Sequence, residues 1–135
     1  MTAVLVDSNV LLDVMSEDAS SLSWSVSAIE RAADNFRLVI NPVIYAEASV
    51  RFTRIEDLDA ALPTTMFERE AIPYEAAFLA GKAYLVYRRS GGTRRSPLPD
   101  FFIGAHATVS GYRLLTRDSA RYRTYFPKLS LIAPD

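Results

Sequence analysis

The sequence predicts an α/β fold, a three-layer sandwich with a parallel sheet between helices, and three observations predict it. Strand-like and helix-like segments alternate along the whole chain. Ala3-Val4-Leu5-Val6 and Leu38-Val39-Ile40 are continuously apolar instead of alternating, as expected of strands covered on both faces. Each of these runs also passes at once into a helix start: Ser8 or Asn9 caps the first helix behind Asp7, and Asn41-Pro42 supplies a cap and a first-turn proline for the next. With 135 residues, 50% of them hydrophobic, residues 1–135 read as a single domain around one core.

In chain order, helix one carries an apolar stripe of Val10, Leu11, Val14 and Met15, and Ser16 to Ser21 forms a polar connection. A second helix spans roughly Leu22 to Ala33, with Leu22, Val26, Ile29 and Ala33 at helical spacing. After Leu38–Ile40, the helix from Pro42 puts Val43, Glu47 and Val50 along one face, so that Glu47 interrupts an apolar stripe. A shorter helix covers Ile55 to Leu62, and Thr65 to Glu70 is an irregular or edge segment. A long helix runs from Pro73 to a basic last turn at Arg88 and Arg89, as a helix C-terminus prefers. A hinge follows from Ser90 to Pro97. The next helix opens at Pro99 and Asp100 and stops at Gly111. Leu114-Leu115-Thr116 is a short buried strand closed by Asp118, Arg121 to Phe126 a short helix or turn, and Leu129 to Ile132 a last strand.

Composition excludes several classes. There is no cysteine, hence no disulfide framework and no thiolate metal site, which fits a reducing, cytoplasmic setting. A single histidine serves zinc poorly. The apolar start contains Asp7 and Asp13 and lacks a basic lead, unlike a signal peptide, and no run is long enough to span a bilayer. The net charge of −1 advertises no nucleic-acid binder. If four of the 16 acids share one pocket, however, the 15 basic residues outnumber the acids that remain.

Those four are Asp7, Glu47, Asp100 and Asp118. Three stand just after a strand or at the start of a helix, and Glu47 points inward from a helix. Taken singly, each has an ordinary explanation, since an acid complements the first turn of a helix and an Asp after a strand makes a turn. Taken together, they sit where parallel α/β sheets place ligands, in the crevice at the carboxyl ends of the strands. Converging carboxylates repel one another unless a cation compensates them. Oxygen ligands without Cys or His select magnesium or manganese, ions suited to activating water at phosphorus. Ser8, Asn9 and Thr116 are neighbours able to orient the acids or a water, and each is equally a cap or a strand-end hydrogen bond.

The segments VDSNVLLDV at 6–14, YAE at 45–47, PDFFIGAHA at 99–107, LLTRD at 114–118 and RYRTYFP at 121–127 together resemble a PIN domain, and their order is similar to that of VapC-type toxins of bacterial toxin–antitoxin pairs. The resemblance covers essentially the whole chain. It implies a five-stranded parallel sheet, magnesium- or manganese-dependent endoribonuclease activity, and a metal pocket of Asp7, Glu47, Asp100 and Asp118. It further implies homodimers and inhibition by a cognate antitoxin. Gly104 falls where alanine is commoner in that pattern.

Arg88, Arg89, Arg94, Arg95 and Arg117 flank the acids in sequence and are candidates for RNA phosphate contacts, which dominate nucleic-acid affinity. Tyr122 and Tyr125 are candidates for base stacking, and Phe126 for the core. His106 is expected to be a hydrogen-bonded supporting residue or a surface one, and Asp13 to have a structural or surface role. Two other functional classes remain open: a non-catalytic PIN scaffold that binds RNA or a partner, and a receiver-type signalling domain. The receiver is disfavoured because no acidic pair precedes Asp7 and Asn41 stands where a phosphoacceptor Asp would be needed.

Overall fold

The computed structural model describes residues 2–16, 20–92 and 98–134. Five strands form one sheet: β1 (Ala3–Val6), β2 (Arg37–Ile40), β3 (Phe67–Arg69), β4 (Arg113–Leu115) and β5 (Leu131–Ile132). Every pairing is parallel and the spatial order is β3-β2-β1-β4-β5. All four residues of the central strand β1 are buried, which is why its sequence shows no alternation.

Among the described residues seven helices complete the sandwich: α1 (Ser8–Met15), α2 (Leu22–Asn35), α3 (Pro42–Ser49), α4 (Ile55–Ala61), α5 (Tyr74–Arg89), α6 (Leu98–Ser110) and α7 (Ala120–Tyr125). The segment expected to be irregular or an edge is the edge strand β3; with three residues it is too short to show a period. Asn41 caps α3 as the sequence predicts, its side-chain oxygen accepting from Ile44 N at 2.9 Å. The cap of α1 is different: Asp7, not Ser8 or Asn9, holds the N-cap position, and its side chain makes no capping bond. The α3 stripe is also corrected. Ile44 and Ala48 are its buried residues while Val50 is 76% exposed, so Glu47 flanks the inward face instead of interrupting it. Gly111, with φ of +71°, ends α6 by letting Tyr112 N reach back to Ala107 O at 2.9 Å.

The strand order places the site. From β1 the chain moves outward through β2 to β3, then returns to lay β4 on the other side of β1. Strands β1 and β4 therefore flank the point where the winding reverses. The two strands stay paired to their carboxyl ends, where Asp7 N donates to Leu115 O at 2.9 Å, and these ends lead into Asp7 and Asp118 at the edge where such sheets form their crevice.

Candidate active site

Asp7 lies at the centre, 2% exposed at the end of β1. Its Oδ2 accepts from the Thr116 hydroxyl at 2.9 Å and from the Tyr122 hydroxyl at 2.8 Å, whereas its Oδ1 has only a long contact of 3.4 Å with Ser8 Oγ. Burial pushes its carboxyl up to about 6; the Tyr122 and Thr116 hydrogen bonds oppose this, and the charges of Asp100 and Glu47 add to it. Glu47, half-buried on α3, accepts from Ser8 Oγ at 2.7 Å. Burial again raises it, with a contribution from Asp100. Asp100, in the first turn of α6, accepts from Arg121 Nη1 at 2.7 Å; burial still holds it above its ordinary value, and the charge of Asp118 acts in the same direction. The four acids are thus electrostatically linked, with Asp118 at the exposed rim.

Ser8, Asn9 and Thr116 make one scaffold beneath the acids. Asn9 Nδ2 donates to Thr116 Oγ1 at 3.3 Å, and its Oδ1 accepts from Arg117 N at 3.1 Å, so α1 is stitched to the end of β4. Asp118 N donates to the same Thr116 oxygen at 3.2 Å. Among the described residues, no group of three or more carboxylates or imidazoles stands at metal-ligating spacing. Each acid is turned to its own donor: Asp7 to Thr116 and Tyr122, Glu47 to Ser8, Asp100 to Arg121. The donor set is nonetheless all hard oxygen, and a guanidinium already stands in as a cation on Asp100. Such a set fits magnesium, which takes one or two carboxylates and keeps several waters.

The candidate RNA contacts are dispersed. Arg88 and Arg89 lie exposed at the end of α5, where Arg88 donates to the Tyr84 hydroxyl at 3.3 Å. Arg94 and Arg95 lie outside the described residues. Arg117 turns inward: its Nε is 2.6 Å from Asp13 Oδ2, which Ser25 Oγ also contacts at 2.7 Å. Asp13 is almost fully buried, so this pair fastens β4 to α1 and α2.

Tyr122 was expected among base-stacking residues, but it is 2% exposed and is a donor inside the pocket. Burial and the charges of Asp7 and Asp100 hold its phenol well above its ordinary value, so it remains protonated. Arg121 was not foreseen as a pocket residue at all. The one available signal was position, since RY follows the strand-end Asp118 by a single short turn. His106 is fully buried, with Nδ1 3.0 Å from Asn41 Nδ2 and Nε2 3.0 Å from Glu70 Oε1. Because Asn41 Oδ1 is committed to the α3 cap, its amide nitrogen must be the donor, and His106 must carry its proton on Nε2 toward Glu70.

The PIN domain family model matches residues 4–127. The chain belongs to the PIN domain family. No curated protein matches it significantly. Among solved structures, this PIN domain is similar to a chain of VapBC2 from Rickettsia felis bound to a DNA fragment from their promoter, with 17% identity, a TM-score of 0.75, and coverage of 99% of this chain and 100% of that one. It is also similar to a chain of VapBC-1 from nontypeable Haemophilus influenzae, with 19% identity, TM-score 0.72 and 98% coverage of both chains. A toxin–antitoxin complex from Klebsiella pneumoniae gives 20% identity, TM-score 0.71 and 98% coverage of both chains. At these identities the likeness is one of fold. Membership in the PIN domain family leaves the receiver-type alternative without support.

Proposed function

We propose that this PIN domain is a divalent-metal-dependent endoribonuclease, the VapC-type toxin of a toxin–antitoxin pair. The observation that carries the reading is the buried Asp7, linked to Glu47 and Asp100 at the winding reversal of a parallel sheet. Asp7, Glu47, Asp100 and Asp118 are the residues that would hold magnesium or manganese. When bound, such an ion supplies charge compensation and Lewis acidity for phosphodiester hydrolysis. The chain's own residues do the positioning. Thr116 and Tyr122 fix the Asp7 carboxylate through Oδ2 and leave Oδ1 with only a 3.4 Å contact to Ser8, whose hydroxyl fixes Glu47 beside it.

A cognate antitoxin and a homodimeric state belong to the same proposal. The matched structures are toxin–antitoxin complexes by description. The outer side of α5 offers an apolar face to a second chain, with Tyr74 91% and Phe78 69% exposed. Brief expression of the chain alone, followed by sequencing of cellular RNA ends, tests the reading. New ends should appear and growth should stop with the wild type, neither should occur with Asp118→Asn, and antitoxin co-expression should restore growth. Binding to RNA or antitoxin without any new ends would instead mark a non-catalytic scaffold.

A further inference from the structure

Among the described residues, two arginine–carboxylate pairs, Arg117–Asp13 and Arg121–Asp100, lie by the end of β4, and they are built differently. In the Arg117–Asp13 pair the acid is nearly buried, is shared with Ser25, and ties three elements together. In the Arg121–Asp100 pair both side chains are about a third exposed, 34% and 31%, and no second donor to Arg121's carboxylate oxygen intervenes. Arg121 can therefore swing into solvent, leaving an Asp100 carboxylate that water reaches from one side. Its departure would not release α7. Tyr122 is anchored through Asp7, Tyr125 packs edge-on against Phe101 at 5.2 Å, and Phe126 lies 6.1 Å from the same ring.

We propose that Arg121 is an exchangeable counter-ion: its guanidinium compensates Asp100 while no divalent cation is present, and a divalent cation competes with it for that carboxylate. This rests on the reading of the acids as a cation site. Among the described residues, Arg121 is the one cationic side chain that ion pairs bring to the four acids. The oxygens show what has to give way. Asp7 Oδ1 has only a 3.4 Å contact with Ser8 and Asp100 Oδ1 only a 3.5 Å contact with the Tyr122 hydroxyl, whereas Asp100 Oδ2 is held by Arg121 at 2.7 Å. A cation on the Asp100 carboxylate would face the guanidinium held at 2.7 Å on the same group, so the two like charges compete for it. Arg121 thus stabilises the metal-free protein and raises the metal concentration needed for loading.

Calorimetric titration of Mn2+ into the full chain, with melting curves in chelator, tests this on wild type, Arg121→Gln and Asp100→Asn. Arg121→Gln should bind Mn2+ about two- to five-fold tighter, the range expected for losing a competing exposed ion pair, and should melt lower in chelator. Asp100→Asn should bind more weakly. A second measurement needs no variant: the Arg121 side-chain resonances of the wild type should lose their ion-paired shift on saturation with Mg2+. If the wild type binds Mn2+ and Arg121→Gln binds equally or less well, or if the Arg121 resonances stay put, the counter-ion proposal is overturned while the cation site stands. If the wild type binds no Mn2+, both fall.

Discussion

Asp7 combines deep burial with two strong donors on one oxygen, and this makes its protonation a stability term of known sign. Its folded-state value is about 6 against an ordinary 3.8, so between these values the folded chain holds a proton that the unfolded chain has lost. Stability in chelator should therefore fall as pH rises from about 4 to 6, and flatten above. Asp7→Asn should remove that slope and, at pH 7.5 in chelator, melt higher than wild type by on the order of 1–3 kcal/mol, given ~1.4 kcal/mol per pKa unit. In millimolar magnesium the gap should narrow or reverse, because the wild type gains binding free energy that the amide forgoes. A variant less stable in both media, with an unchanged pH slope, would mean that Asp7 is an ordinary strand-end residue. At this scale Asp7, Asp100 and Asp118 could be singled out because each sits at a strand end or on a helix start, and Glu47 because it stands beside the apolar face of a helix. Arg121 and Tyr122 were not legible, because what brings them to Asp100 and Asp7 is the direction in which α7 folds back.

That direction is set where α6 and α7 meet. Gly104 lies on α6 at the crossing, and a Cβ there would stand 2.6 Å from the Phe126 ring and 3.1 Å from the Tyr122 ring. The departure from alanine at this position thus has a steric reason that the sequence alone did not reveal: the ring of Phe126, 4% exposed, occupies the space. Gly104→Ala gains about 1 kcal/mol of helix propensity but forces buried rings to move, at a cost of about 1–3 kcal/mol. The net expectation is a lower melting temperature together with a lengthened Tyr122–Asp7 bond, read from the Tyr122 hydroxyl proton by NMR. A higher melting temperature would show that the ring yields freely. The element boundaries were otherwise legible where punctuation is strong, as at Asn41-Pro42 and Gly111. They were illegible where the pattern is short, as in the three-residue β3, or where two faces compete, as on α3. At Asn41 the cap does double duty, since its amide also fixes His106. Asn41→Ala should cost about 1–3 kcal/mol in denaturant melts, the sum of a lost cap and an unpaired buried imidazole nitrogen.

At the scale of the whole molecule, the site is a consequence of strand order. A chain winding outward from β1 and returning to place β4 at its other side puts the winding reversal at the two paired strands whose ends carry Asp7 and Asp118. The alternation of segments made the α/β class and the parallel sheet readable, because βα junctions have their own residue signals. The placement of the basic residues was not readable. Arg117 turned from a presumed RNA contact into a brace on Asp13, since a partner 104 positions away in sequence leaves no local trace. Among the described residues no helix is long and apolar enough to cross a membrane. The central claim is that the linked acids form a cation-dependent RNA-cleaving centre. Its most direct test is cleavage of an RNA substrate by the purified chain in magnesium, manganese and chelator, beside Asp100→Asn shown by circular dichroism to be folded. Cleavage by the wild type is expected in either metal and none in chelator, with a loss of at least about a hundredfold in the variant. Undiminished cleavage by folded Asp100→Asn, or cleavage that persists in chelator, would contradict it.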